Sequence, residues 1–448
     1  MSDTRTSRRI VFSGASARTG PLSWGQAKMF RDIDDFYGGR ALSCLPLTLP
    51  VPEGIPLAAV VSALAGLVSA HESLRTRYPE AGRQVVDGSG ELVVEVIDST
   101  DPEAASARIV AEFSGEPFDL AAGPPLRCAV ILNGGRPVGI ACVFTHVAVD
   151  GIAVGVLGDD LTDLMLARPK PAVTTWQPLD LAEHERSPAG VRQCAKAVSY
   201  LDDAYRRAPF ATLAEVGPHE DVPYLRGWLR STELAQVLAW ISERTGRSRS
   251  AVLLAAYLAL LGLRACGPVC AVSSIAANRM RAETDRYVGQ MAQDAVVVVD
   301  TATETFDELV RRVWTASLTA YANSPVDPHA QDAVLARVAA ERGFGFSRDC
   351  VYNDQVIPTS RSEVRLAVGS AVNRLRIVAD EFIPVRAYFS VHRLDEIAEI
   401  SLWADTRFLP RRDLRAFLDG LRRLLAAEAE GGVRTADLGA VCGLDRAC

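Results

Sequence analysis

Apolar positions along this chain switch between two periods. From Val138 to Phe144 they run almost without interruption, which predicts a buried strand. After Gly151 they return at Val154, Leu157, Leu161, Leu164 and Met165, which predicts a helix. The same two patterns recur from end to end. Helices are expected near 23–36, 56–69, 102–113, 182–208, 231–245, 251–263, 305–323, 332–342 and 411–428. Strands are expected near 43–49, 84–86, 92–97, 128–132, 224–229, 269–274, 295–299, 350–354, 366–367, 375–378, 385–392 and 397–404. The tight turn Asn133-Gly134-Gly135 joins the 128–132 strand to the central one as a hairpin. Both halves mix strands with long helices in similar order, so a duplicated α/β (α+β) architecture is expected.

Punctuation between the elements divides the chain. The polar start, Met1 to Gly20, reads as a mobile N-terminus, and the proline-rich polar stretch from Arg168 to Pro178 reads as a linker. The expected division is therefore 1–20 mobile, 21–175 as an N-terminal lobe and 176–448 as a C-terminal lobe. Its 448 residues are too many for one ordinary core.

Composition narrows the class without naming a function. A net charge of -7 argues against a nucleic-acid surface, which normally carries a basic patch. The most apolar helix, Ala251 to Leu263, falls short of the roughly 20 residues that cross a bilayer, and Met1 to Gly20 lacks the apolar core of a secretory signal. Nine cysteines, odd in number and scattered, point to reduced usage and a cytoplasmic location, with cysteine serving as a small hydrophobe. Only Cys266-x-x-x-Cys270 is close-spaced, and no second pair with zinc-like spacing accompanies it, so no metal is expected.

The strand-to-helix loop holds the chemistry. Thr145-His146-Val147-Ala148-Val149-Asp150-Gly151 lies between the buried strand and the helix that follows. A strand fixes where such loop side chains point, and the N-terminus of a helix adds partial positive charge. With an ordinary pKa of about 6.5, His146 can act as a base near neutral pH. Asp150, followed by a glycine that permits a tight turn, is better suited to holding geometry than to reacting. A lone histidine at a strand end is more often structural, so the loop alone decides nothing. A second charged cluster, His71-Glu72-Ser73-Leu74-Arg75-Thr76-Arg77, ends the 56–69 helix and reads on its own as a solvated helix C-terminus.

Taken together, five phrases resemble the condensation-domain superfamily of nonribosomal peptide synthesis, whose relatives include chloramphenicol acetyltransferase and the polyketide-associated and wax-ester acyltransferases. The hallmark His-His-x-x-x-Asp-Gly stands here as Thr145-His146-Val147-Ala148-Val149-Asp150-Gly151. Leu22-Ser23-Trp24-Gly25-Gln26 is similar to the family's opening helix, and His71-Glu72-Ser73-Leu74-Arg75-Thr76 to its His-Glu-x-Leu-Arg-Thr element. Phe118-Asp119-Leu120 to Leu126-Arg127 matches its connector, and Asn278-Arg279 to Val288-Gly289 its Asn-Arg-to-Val-Gly segment.

The resemblance implies two chloramphenicol-acetyltransferase-like lobes in a V-shaped pseudo-dimer, with a central tunnel that carries the histidine. It implies a condensation-type acyltransferase that forms an amide or ester from a carrier-bound acyl or aminoacyl thioester. No cofactor is bound; an acyl or peptidyl carrier protein delivers a phosphopantetheine arm, and a small amine or alcohol is the acceptor. By similarity, His146 is base or positioning group, Asp150 pairs with Arg279 to hold the loop, Gly151 leaves room for the arm, and Arg75 braces the lobe. The chain departs from the pattern at Thr145, where the first histidine of the hallmark normally stands. It departs again at Met291 and Gln293, in a floor loop expected to bridge the lobes. With no adenylation or carrier segment in view, the expectation is a free-standing protein. Two other readings share these residues: a non-catalytic recruitment domain, which Thr145 favours, and a relative that cyclises or rearranges a tethered peptide.

Overall fold

A computed structural model describes residues 3–15, 17–37, 43–80, 82–168, 175–265, 267–356 and 372–444. Its contacts gather into two units, Met1–Arg192 with Ala277–Ala292, and Gln193–Ala276 with Gln293–Pro358 and the chain beyond 361. The first unit runs past the expected boundary near 175: the next two helices begin inside it, and the distant 277–292 segment joins it as well. The strand expected at 366–367 lies outside the described residues.

In the first unit the elements are β1 (Thr4–Ser13), β2 (Arg18–Pro21), α1 (Trp24–Tyr37), β3 (Cys44–Pro50), α2 (Leu57–Ala70), β4 (Thr76–Arg77), β5 (Arg83–Val86), β6 (Ser89–Asp98), α3 (Pro102–Gly115), β7 (Leu126–Asn133), β8 (Arg136–Thr145), α4 (Gly151–Met165) and α5 (Pro178–Arg186); α6 (Pro188–Arg207) follows and runs into the second unit. The main sheet has the order β1-β6-β7-β8-β3, with β6 and β7 parallel and the other neighbours antiparallel. Beside it lies the small sheet β2-β5-β4.

Strand β8 carries apolar residues to both of its faces. Phe144, Cys142 and Ile140 join a core with α2 and α4, whereas Val143 and Ala141 join another with α1 and α3. That double burial is why the sequence there is a continuous apolar run rather than an alternating one. The hairpin into β8 turns at Gly134 and Gly135, whose φ values of 58° and 77° are the left-handed pair that a two-residue turn matched to strand twist requires.

The start of the chain, expected to be mobile, is strand here. Thr4–Ser13 pairs along its whole length with β6, and Ile10 and Phe12 point into the core between exposed neighbours. Only two inward residues separate this edge strand from an ordinary polar tail, and the pairing comes from a partner some 85 residues on.

The second unit contains β9 (Tyr224–Ser231), α7 (Thr232–Thr245), α8 (Arg249–Arg264), β10 (Val269–Ala276), β11 (Gln293–Asp300), α9 (Phe306–Ala322), α10 (Pro328–Arg342), β12 (Cys350–Asp354), β13 (Asn373–Ala379), β14 (Ala387–Leu394), β15 (Ala398–Asp405), α11 (Arg411–Gly431) and α12 (Leu438–Cys442). Its sheet has the order β11-β10-β12-β14-β15-β9-β13. Helices α7, α8, α9 and α11 fill one face, where α8 is buried almost throughout from Ala251 to Leu263. On the other face α6 and α10 cover the β10 and β11 end. Gln293, expected in the floor loop, is instead the first residue of β11. Its buried amide donates to Val326 O at 2.7 Å and accepts from Val326 N at 3.3 Å. Among the described residues no helix is long and apolar enough to cross a membrane.

Candidate active site

The loop from β8 to α4 is tied down through its backbone. His146 N donates to Ser43 O at 2.9 Å and Ala148 N to Thr145 O at 3.0 Å, while Val147, Ala148 and Val149 are fully buried. Three apolar side chains in succession therefore anchor the loop and leave His146, half-buried, at its start.

The ring of His146 is held by one nitrogen. Its Nδ1 lies 3.0 Å from Val149 O. A carbonyl can only accept, so Nδ1 carries the proton and Nε2 keeps its lone pair. Nε2 has no hydrogen-bond partner among the described residues. Burial disfavours the charged imidazolium and holds its pKa below the ordinary value, against the opposing pull of the Asp150 carboxylate. The Lys28 ammonium, buried in α1 and 2.5 Å from Asp32, pushes the same way as burial. The imidazole is thus a neutral base at pH 7.

Both oxygens of Asp150 are fully engaged. Its Oδ1 accepts from Ala153 N at 3.0 Å, as the N-cap of α4, and from Arg279 Nη2 at 2.7 Å. Its Oδ2 accepts from Arg279 Nη1 at 2.9 Å and from Met291 N at 3.1 Å. Four donors fill the roughly four lone-pair positions of a carboxylate, and the bidentate pair is almost dry, with side chains 6% and 3% exposed. Arg279 in turn donates to Ala277 O and Tyr287 O, both at 3.1 Å. The expected pair is present, within the first unit. Asn278 sits in the left-handed region at φ 59°, which asparagine tolerates better than most residues, and its amide donates to Met291 O at 3.1 Å. The 277–292 segment is therefore bolted to the start of α4 at several points.

Gly151 opens α4 on the solvent side. A Cβ there would meet no atom within 4 Å. Thr145, by contrast, is fully buried, and its hydroxyl has no partner among the described residues.

The His71 to Arg75 cluster is buried, which corrects the solvated reading. His71 Nε2 donates to Asp160 Oδ2 at 2.8 Å, Asp160 Oδ1 accepts from Arg286 at 2.8 Å, and Arg75 donates to Asp87 O at 2.6 Å. These partners come from α4, the 277–292 segment and the β5–β6 turn, so nothing near His71 in the sequence announces them. Lys28 and the backbone groups of Tyr287 and Met291 are likewise site components that pattern reasoning passes over. The one local signal for Lys28 is its place one helical turn after the buried Trp24.

The family model for the condensation domain matches residues 23–328. The chain belongs to the condensation-domain family. It is 27% identical over 290 residues to phosphinothricin tripeptide synthetase PhsC of Streptomyces viridochromogenes, a match that takes in 61% of this chain and 27% of that one. The chain thus spans only about a quarter of that relative's length. Two solved structures share the fold. The SgcC5 protein from Streptomyces globisporus superposes with a TM-score of 0.69 at 19% identity, over 92% of this chain and 99% of that one. The X-domain from teicoplanin biosynthesis gives 0.67 at 18% identity, over 93% and 96%. The fold class expected from the sequence is therefore that of the family.

Proposed function

We propose that the chain is a condensation-type acyltransferase in which His146 Nε2 receives a proton from an attacking amine or alcohol. The nucleophile adds to the carbonyl carbon of an acyl or aminoacyl thioester held on the phosphopantetheine arm of a carrier protein. A new C–N or C–O bond forms, the C–S bond breaks, and the departing thiolate takes up the proton. One observation carries the reading: the His146 ring is fixed through Nδ1 and offers an unpartnered Nε2, in a loop whose carboxylate is fully engaged elsewhere. A positioned base of this kind typically contributes about 10²–10⁴-fold in rate. Open space at Gly151 is consistent with an arm approaching the start of α4. In this reading Asp150 and Arg279 are positioning residues, and Arg75 and Thr145 support the fold around them.

The test is thiol release from acyl-pantetheine thioesters and carrier-bound acyl groups, offered with amines and alcohols, comparing wild type with His146→Ala. Release that needs both acceptor and His146 is the expected result. Equal release from both proteins would overturn the acyltransferase and favour recruitment of a partner enzyme to a carrier protein. The buried, unpartnered Thr145 in place of a histidine is the feature that supports that second reading.

A further inference from the structure

The face of the second unit's sheet that α6 and α10 leave uncovered is unusual at its β9 and β13 end. Strand β9 alternates strictly: Leu225 and Leu229 enter the core, while Arg226, Trp228 and Arg230 point the other way. Edge strand β13 pairs with it so that Arg374 stands directly opposite Arg230 and Arg376 opposite Trp228. Two arginines in direct cross-strand register repel each other and weaken a sheet. Glu399, the neighbour of Arg230 on β15, lies 3.9 Å from it. Arg374 and Arg376 are exposed and have no side-chain hydrogen bond or ion pair among the described residues. Of these three guanidiniums only Arg230 lies near a carboxylate, while Arg226 on the same face is paired with Asp380.

The floor beside them is aromatic. Strand β14 slips register between Val391 and Arg393, and this bulge frees His392 to stack on Trp228 with ring centroids 4.8 Å apart and planes 27° apart. His392 Nε2 is held by Ser401 Oγ at 2.9 Å. Bulges commonly re-aim a side chain in this way beside binding sites. A flat, half-buried ring pair flanked by excess guanidinium is complementary to one kind of molecule: a planar group bearing an oxyanion, because the rings take its face and arginine's fork takes its oxygens.

We propose that this end of the sheet binds a small ligand that carries a carboxylate or phosphate on a flat unsaturated group. The site rests on residues of the second unit alone and goes beyond the reading of His146. Charge complementarity and the ring platform select the occupant, and the cross-strand arginine pair is maintained against its own repulsion because the anion relieves it.

Isothermal titration of the full chain with benzoate, phenyl phosphate and benzyl alcohol tests the proposal. At least one of the two anions is expected to bind, and benzyl alcohol to bind at least about 10-fold more weakly, as the loss of a charge-assisted contact implies. Arg374→Gln with Arg376→Gln should weaken anion binding about 10-fold or more, while Arg374→Lys with Arg376→Lys retains part of it. The glutamine variant should melt no lower than wild type, since it removes repulsion. The proposal is overturned if neither anion binds at about 10 mM, if benzyl alcohol matches them, or if the glutamine variant binds as well as wild type. It is equally overturned if sedimentation shows the patch buried against a second copy of the chain.

Discussion

Two buried ionic clamps hold the 277–292 segment to α4, and they are built differently. At the start of the helix, Asp150 and Arg279 meet bidentately, almost without exposure, and every oxygen of the carboxylate is used. Further along the helix, Asp160 bridges His71 to Arg286, whose side chain is 34% exposed and also lies 3.8 Å from Asp159. The first clamp sets the shape of the loop that carries His146; the second fastens the helix body to the end of α2. A dry, saturated pair leaves a stranded charge when one side is removed, whereas a partly wetted one lets water stand in. Position and solvation, more than the number of charges, decide what each is worth.

Asp150→Ala should have the largest effect, about 3–5 kcal/mol of lost stability, because it strands the Arg279 guanidinium in a dry site. Urea unfolding would read this, and a loss under about 1 kcal/mol would show that water replaces the carboxylate, erasing the contrast between the clamps. Asp160→Asn keeps the shape but removes the charge, and should cost about 1.5–3 kcal/mol. A cost equal to that of Asp150→Ala would make the two clamps equivalent.

Two glycines sharpen the comparison from the backbone side. A Cβ on Gly25 would stand 2.6 Å from Gln290 O and 3.0 Å from Met291 Cα, so α1 packs on the 277–292 segment only through a glycine. Gly25→Ala should cost about 1–3 kcal/mol, as overpacking does. Gly151 has open space instead, so Gly151→Leu should leave stability within about 0.5 kcal/mol while obstructing thioester turnover. Intact turnover by that variant would remove Gly151 from the path of the arm.

Acid offers the gentlest probe. His146, with its pKa held below about 6.5 by burial, should lose its base function only as pH falls through that lowered value. The acid limb of thiol release is therefore expected below 6.5, and a limb above it would contradict the buried setting. In the window between the lowered value and 6.5 the unfolded chain binds more protons than the folded one, so stability falls as pH falls; His184 and His392, also lowered by burial, add in the same sense.

Legibility in the sequence followed the range of the interaction. Strand β8, helix α4 and the all-round apolar α8 announce themselves because each is decided by its own neighbours. The loop from Thr145 to Gly151 is readable for the same reason, down to the tight turn ahead of β8. What pattern reasoning could not supply were contacts closed over long separations. The Asp150 to Arg279 pair was legible only through the resemblance of both segments to a family. The burial of His71 depends on Asp160, and the order of Thr4–Ser13 depends on β6. Gln293 shows the opposite limit, since a residue placed by likeness in a loop turns out to start a strand.

The separation of 129 residues between Asp150 and Arg279 has a kinetic corollary. Strands β7 and β8 meet through a two-residue turn and can pair within microseconds, but the clamp must wait for a closure across more than a quarter of the chain. A contact that closes so long a loop is expected late on the folding route, after the rate-limiting barrier. Interactions made that late leave the speed of folding almost untouched and set the speed of unfolding instead. The ion pair that shapes the histidine's loop is in this sense a latch on the lifetime of the native state.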